Sequence, residues 1–236
     1  MCKVTVVIPN YKGEKYLIPC LEALYGTTGI QIHVIVVDNG STDGCVERAK
    51  ELYPDTEFIL FKKNYGFCHA VNAGIRASRS PYVILLNNDT KVREGFVENL
   101  LHRIEENKRC FSVEAKMLQY ENPERMDSAG TYYNAFGWAF ARGRDGKSDK
   151  YDRPCKVFAA CAGAAIYRRE VFDKIGYFDE RHFAYLEDID VGYRARIYGY
   201  VNLYEPAAEV IHVGSASSGS RYNVFKTKYS SRNNVY

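Results

Sequence analysis

The sequence predicts a single α/β domain: a mostly parallel central sheet covered by helices on both faces, plus a small extension contributed by the second half. Three observations predict it. Strand-like and helix-like segments alternate through the first half with short links, as parallel strands joined by crossover helices require. The strand segments are continuous β-branched and apolar runs, the pattern of strands buried on both faces. The chain has 236 residues, 46% of them hydrophobic, enough for one large core.

The elements follow in order. "KVTVVIP" (3–9) is a β-branched run ended by Pro9. "GEKYLIPCLEALYG" (13–26) places Tyr16, Leu17, Cys20, Leu21 and Leu24 on one helical face, with Pro19 early enough to be tolerated. "IQIHVIVVDNG" (30–40) is a strand closed by an Asn39-Gly40 turn, and "DGCVERAKELY" (43–53) a helix burying Val46, Ala49 and Leu52. "EFILFKKN" (57–64) is a strand, "FCHAVNAGIRAS" (67–78) a helix and "YVILLNND" (82–89) a strand. "FVENLLHRIEEN" (96–107) is a helix and "FSVEAKMLQY" (111–120) a strand. Residues 121–154 show little periodicity and read as a long excursion, part of a substrate site or a flap. "KVFAACAGAAIYRR" (156–169) reads as one strand rich in small residues, "REVFDKIG" (169–176) as a short helix, a helix begins near Glu187, and "YVNLYEP" and "EVIHVG" read as two late strands. The last stretch mixes Arg221, Lys226, Lys228 and Arg232 with Tyr222, Phe225, Tyr229 and Tyr236. It reads as a solvated helix, or as a peripheral contact to a membrane.

Composition excludes several classes. The 32 basic side chains exceed the 29 acidic ones by only three, so nothing steers the chain toward nucleic acid and no nucleic-acid partner is expected. Seven cysteines without a CxxC pair argue against a structural zinc site or a disulfide framework and for reduced thiols in a cytoplasmic protein. The first residues enter a strand directly, with no charged-then-apolar leader, so no signal peptide is expected, and no apolar run reaches membrane-spanning length. GxGxxG after the first strand, GxxxxGK[ST] and GxSxG are all absent.

Ligands of open parallel sheets bind beyond the carboxyl ends of the strands. Four polar clusters fall there: "PNYKG", "VVDNGSTDG", "KKNYGFCHAVNAG" and "LLNNDT". Ser41, Thr42 or Asp43 reads as a helix cap. Asp38 is not needed for capping, and its carboxylate can accept the imide N–H of uracil or thymine. Asp89 ends a buried strand, as an Asx turn or as an oxygen ligand for Mg2+ or Mn2+ beside a diphosphate. His212 ends a late strand. A lone histidine is more often structural, but an imidazole with Asp89 makes a mixed site that suits Mn2+. Glu187, Asp188 and Asp190 crowd the start of a helix, where acidic residues also favour the helix dipole.

The order "VVIPNYKG…VVDNGSTDG…KNYGFCHAVNAGI…VILLNNDT…FAACAGAAIYRREVFDKIGYFDERHFAYLEDIDVGYRARIYGY" resembles the family-2 glycosyltransferases across nearly the whole chain, and within them a bacterial rhamnosyltransferase-like subgroup. That family has the GT-A fold and uses nucleotide sugars with inversion. The resemblance implies that Pro9, Asn10 and Tyr11 border the base, with Tyr11 stacking on it, and that Asp38 reads the pyrimidine. It implies that Asn64, Gly66 and Phe67 flank the diphosphate and sugar, with Asn88 on the nucleotide side. Asp89 matches the metal-binding end of the family's DxD motif, whose first carboxylate is here replaced by Asn87, and His212 matches a metal-binding histidine of some members. Asp188 matches the general base, and Glu187 is expected to position sugar hydroxyls. Residues 1–110 are then the nucleotide-sugar half and 111–236 the acceptor and catalytic-base half of one domain. The expected activity is metal-dependent transfer of a hexose, favoured as rhamnose from a dTDP-sugar, to a glycan or lipid-linked saccharide of the cell envelope or capsule. The setting implied is cytoplasmic, at most peripheral at the inner face of the cell membrane. UDP-galactofuranose or UDP-glucose as donor, a nucleotidyltransferase, and a sugar-nucleotide-binding protein with little activity remain the alternatives. The loop "PNYKGEKY" lacks the Gly- and Arg-rich character of a nucleotidyltransferase.

Overall fold

The computed structural model describes residues 2–214 and 223–235. Strands β1 (Val4–Asn10), β2 (Ile32–Asp38), β3 (Glu57–Leu60) and β4 (Tyr82–Leu86) pair in parallel in the order β3-β2-β1-β4. They are joined by α1 (Leu17–Thr27), α2 (Cys45–Leu52) and α3 (Phe67–Ala77). Pro19 falls in the first turn of α1, where no intrahelical N–H is missed.

The second half turns the sheet mixed. After β5 (Thr90–Val92) and α4 (Phe96–Glu105) comes β6 (Cys110–Gln119). Short strands β7 (Met126–Ser128), β8 (Thr131–Tyr133), β9 (Ala139–Ala141) and β10 (Cys155–Val157) follow. Then come β11 (Ala164–Arg168), α5 (Arg169–Ile175), α6 (Glu187–Ile197), β12 (Val201–His212) and α7 (Val224–Asn233). β11 lies antiparallel between β4 and β6, β12 runs parallel to β6, and β5 and β10 pair antiparallel with β12. The main sheet reads β10-β12-β6-β11-β4-β1-β2-β3, while β8 and β9 form a separate hairpin.

Strand periodicity sorts the core into two layers. Val4, Val6, Ile8, Val34, Val36, Ile84 and Leu86 face α1, α2 and α4; Val7, Ile35, Val37, Val83 and Leu85 face α3, α5 and α6. Each fully buried aliphatic side chain contributes about 1.5–3 kcal/mol.

Five expectations are corrected. Leu52 of α2, expected on the buried side, is exposed. Residues 156–169 form two strands, because Ala159–Gly163 break away as a buried turn. The two late strands are one, β12, interrupted by a bulge between Glu205 and Glu209 where Pro206 lacks an N–H for the ladder. The 121–154 excursion contains β7, β8 and β9, each three residues long, too short to reveal a period. The terminal helix is not simply solvated: Tyr229 stacks on Phe183 at 5.2 Å, Phe225 packs edge-on against it, and Asn233 is buried. Arg221, Tyr222 and Tyr236 lie outside the described residues.

β6 carries a buried polar face. Ser112 bonds Asn202, Lys116 pairs with Asp152 and Glu209, and Glu114 accepts from Ser128 Oγ (2.5 Å), Gly130 N–H (2.9 Å) and Cys161 N–H (2.6 Å). Burial outweighs these donors and pushes the Glu114 carboxyl up to about 7. Glu114→Ala leaves three donors without an acceptor, so thermal unfolding should show a loss of about 2 kcal/mol or more. Ser128→Ala, which removes one donor and strands none, should cost less.

Candidate active site

The carboxyl ends of β1, β2 and β4 are tied by one chain of buried side chains. Asn88 Nδ2 donates to Asn10 Oδ1 (2.7 Å), and Asn10 Nδ2 donates to Asp38 Oδ1 (2.7 Å). Ser41 completes it, its Oγ donating to Asp38 Oδ1 (2.6 Å) and its N–H to Oδ2 (2.8 Å). A carboxylate offers about four acceptor directions, so Asp38 keeps one open, on Oδ2. Gly13 closes over this chain: a Cβ there would lie 2.0 Å from Asn10 Oδ1. Asp43 takes the capping task, accepting the N–H groups of Cys45 and Glu14. Pro9 and Tyr11 border the chain; Lys12 Nζ sits 5.4 Å from the Tyr11 ring centroid.

A second cluster gathers at β5 and β12. The ladder pairs His212 with Thr90, so His212 Nε2 reaches Asp89 Oδ1 at 3.3 Å. On its other side His212 Nδ1 meets Asp127 Oδ2 at 2.8 Å, and Asp127 Oδ1 pairs with Arg144 at 3.1 Å. Burial pulls the His212 pKa down, but the hydrogen bonds to Asp127 and Asp89 win and push it up to about 10. Among the described residues no three His, Cys, Asp or Glu side chains converge on one metal position. The donor set fits a divalent cation as a two-point grip: one carboxylate oxygen and one imidazole nitrogen, close together, with the imidazole oriented by a carboxylate behind it. Remaining positions would fall to water or a diphosphate.

The acidic triplet divides. Asp190 is absorbed by Arg194 one turn on, at 2.7 Å. Asp188 is half-buried; its Oδ1 accepts the Ile189 N–H at 2.9 Å, and Ala162 and Cys161 lie near enough to its carboxyl to draw its pKa down against burial. Glu187 is buried and its Oε2 has no hydrogen-bond partner among the described residues. Burial raises both carboxyls, and Asp188 raises Glu187 further by charge repulsion. The same short loop reaches the cation cluster: the Gly163 carbonyl accepts the Asn87 N–H at 2.8 Å. One loop, 161–163, therefore lies beside Asp188 and bonds the residue two before Asp89.

The approach to Glu187 is held in an uncommon backbone. Phe183, Tyr185 and Leu186 all have positive φ (63°, 72° and 64°). Such residues cost about 1–3 kcal/mol each and persist only where neighbours enforce them. Two neighbours do. The Phe183 carbonyl accepts the Phe67 N–H at 2.7 Å, and Gly66 (φ 96°) permits that contact, since a Cβ would lie 2.7 Å from Phe183 O. Asn64 Oδ1 accepts the Gly66 N–H and Asn39 Nδ2 donates to the Gly66 carbonyl. From the other side Asn233 Nδ2 donates to the carbonyls of His182 (3.0 Å), Ala184 (2.9 Å) and Tyr185 (2.7 Å).

Comparison with known proteins matches residues 5–176 to the description "Glycosyl transferase family 2". The chain belongs to glycosyl transferase family 2. It is a glycosyltransferase, rhamnosyltransferase-like in its relations: N-acetylglucosaminyl-diphospho-decaprenol L-rhamnosyltransferase of Mycobacterium tuberculosis is 28% identical over 91% of this chain and 77% of that protein. Two solved structures share the GT-A fold. GalNAc-T7 with UDP, GalNAc and Mn2+ superposes with TM-score 0.73 at 16% identity, over 90% of this chain and 44% of that one. The mannosyltransferase PcManGT of Pyrobaculum calidifontis with GDP-Man and Mn2+ superposes with TM-score 0.65 at 18% identity, over 92% of this chain and 58% of that one.

Sequence reasoning missed Asn39, Asp127, Glu114 and Asn233 in this glycosyltransferase. Only Glu114 left a signal, the polar alternation Ser112-Glu114-Lys116 along an otherwise apolar strand. Asn233→Ala removes three bonds to the 182–185 backbone. Amide hydrogen exchange in 183–188 should accelerate about tenfold or more, while β1–β4 stay protected.

Proposed function

We propose that this glycosyltransferase is an inverting, metal-dependent enzyme that moves a hexose from a nucleotide sugar to a hydroxyl of a glycan or lipid-linked saccharide, with dTDP-rhamnose the favoured donor. The relation to the mycobacterial L-rhamnosyltransferase supports rhamnose and a lipid-diphosphate-linked acceptor. The observation that carries the reading is the loop 161–163, which lies beside Asp188 at one end and accepts the Asn87 N–H at the other. An acceptor hydroxyl beside Asp188 and a sugar diphosphate beside Asp89 then face each other across a short gap.

In this reading residues 1–110 hold the donor. Tyr11 stacks on the base, the open direction of Asp38 Oδ2 accepts the imide N–H, Asn10 and Asn88 keep Asp38 in place, and Asn64, Gly66 and Phe67 border the sugar. Residues 111–236 hold the acceptor and the base. Asp188 takes the proton of the acceptor hydroxyl as its oxygen attacks the anomeric carbon opposite the diphosphate. The bond from that carbon to the diphosphate oxygen breaks, its electron pair leaves with the nucleoside diphosphate, and configuration inverts. Glu187, with its unpartnered Oε2, accepts a hydrogen bond from a sugar hydroxyl. Asp89 and His212 are the residues to hold Mn2+ or Mg2+, which supplies Lewis-acid stabilisation to the departing diphosphate, worth several kcal/mol. No helix among the described residues is long and apolar enough to cross a membrane, and the reading puts the enzyme in the cytoplasm, peripheral to the inner face of the cell membrane.

Three outcomes test it. Asp188→Asn should lower the transfer rate about 10²–10⁴-fold or more with nucleoside diphosphate affinity unchanged; a wild-type rate removes Asp188 as base. Asp188 works ionised, and burial raises its pKa, so the acid limb of the kcat/KM profile should lie above the ordinary carboxylate value of 3.8. His212→Ala should abolish the gain in nucleoside diphosphate affinity on adding Mn2+, read by calorimetry; an unchanged gain excludes His212 from the cation.

A further inference from the structure

The β8–β9 hairpin stands outside the main sheet and presents apolar side chains that nothing among the described residues covers. Phe136 is 87% exposed, Trp138 64% and Phe140 50%. Single exposed apolar residues are ordinary; three large ones on one eleven-residue hairpin are not. Most of the tip's N–H groups are bonded internally: Asn134 Oδ1 accepts the N–H groups of Phe136 and Trp138, Asn134 N–H donates to the Trp138 carbonyl, and Gly137 N–H to the Asn134 carbonyl. N–H groups already bonded within the tip lose little on leaving water.

Beside the hairpin lies a cavity of about 380 Å³ whose walls include Tyr133, Phe158, Lys156 and Arg196. Tyr133 stacks on Phe158 at 5.0 Å and Phe158 on Tyr193 of α6 at 5.7 Å, so the hairpin leans on the helix that begins with Glu187 and Asp188. Arg196 lies 5.0 Å over the Phe158 ring. Neither Lys156 nor Arg196 has a carboxylate within ion-pairing distance among the described residues, and the sequence holds no Asp or Glu between Asp127 and Asp145 or between Asp190 and Glu205.

We propose that this hairpin is a membrane-docking element: Phe136 and Trp138 enter the interface of an anionic bilayer, and Lys156 and Arg196 meet lipid phosphates. The occupant follows from charge and reach. An aromatic tip flanked by unpaired cations matches the interfacial region of an anionic leaflet. A second copy of this chain would set cation against cation. A saccharide in the cavity would leave Phe136 and Trp138 uncovered, since neither lines it. The proposed lipid-linked acceptor gives the docking its purpose and is the one part that rests on the functional reading: it would set α6 and Asp188 at the surface where such an acceptor emerges.

Trp138 is the only tryptophan in the sequence, so its fluorescence reports on this hairpin alone. The full chain is mixed with vesicles of phosphatidylcholine, with and without phosphatidylglycerol. The expected result is co-sedimentation with the phosphatidylglycerol vesicles, a shift of Trp138 emission to shorter wavelength, and quenching by brominated acyl chains. Phe136→Ser should weaken vesicle partition about tenfold while transfer to a water-soluble saccharide acceptor stays at the wild-type rate. The double variant Lys156→Ser, Arg196→Ser should lose the preference for phosphatidylglycerol. The proposal is overturned by no sedimentation, by sedimentation with Trp138 emission unmoved (docking elsewhere, as through α7), or by a lipid-free saccharide that shifts Trp138. A wild-type chain that docks yet transfers to no acceptor sinks the functional reading and leaves the docking intact.

Discussion

The three-residue ladder between β5 and β12 is the constraint on which the rest of the site depends. It pairs Val92 with Val210, Lys91 with Ile211 and Thr90 with His212, and so brings the last residue of β12 to the turn that follows β4. A slip of one position would send His212 to the opposite face of its strand. Two features pin the register. Val92 and Val210 are both buried in the layer under α4, and the bulge after Glu205 re-sets β12 against β6 so that Glu209 rather than Pro206 continues the pairing. The Val213 N–H then donates to the Asp89 carbonyl, closing the corner from the backbone side.

Around that corner the chain keeps its polar groups buried and engaged. Asn10, Asp38, Asn88 and Asp89, at the strand ends where an α/β sheet binds ligands, and Glu114, midway along β6, are all under a tenth exposed. Asn88, Asn10 and Asp38 tie the strand ends to one another, and Glu114 ties β6 to Ser128, Gly130 and Cys161. Glu187 is the exception. Its Oε2 lacks a partner beside a strained approach loop, and an unpaired acceptor that well buried costs free energy unless a ligand supplies the donor. The glycosyltransferase holds this costly segment from two sides, with α3 bonding Phe183 and Asn233 bonding the carbonyls around it.

What the sequence revealed follows the range of the interactions involved. The first four strands and three helices were legible because doubly covered parallel strands write themselves as apolar runs with polar clusters at their ends. Asp38 and Asp89 could be picked out there and His212 at the end of a late strand, and the roles expected of Asn10 and Asp188 came with the family resemblance. The partners of these residues were not legible. Asp127 lies 85 positions from His212 and Asn233 lies 48 from Tyr185, and no local period encodes such a contact. The hairpin was hidden for a related reason: strands of three residues pair with each other but are too short to show alternation, and their aromatic excess reads as irregular chain. Asn39 was read only as a turn former, which is true of its backbone and silent about its side chain bridging to Gly66.

The central claim is that Asp89 and His212, joined by the β5–β12 ladder, hold one cation against the donor's diphosphate while Asp188 waits beyond it. Anomalous diffraction from crystals grown with Mn2+ and a pyrimidine nucleoside diphosphate tests this most directly. The account predicts one manganese peak in contact with the Asp89 carboxylate, the His212 Nε2 atom and the diphosphate, with Asp188 facing the open side. A manganese peak held by other side chains, with His212 still bonded to Asp89, would contradict it.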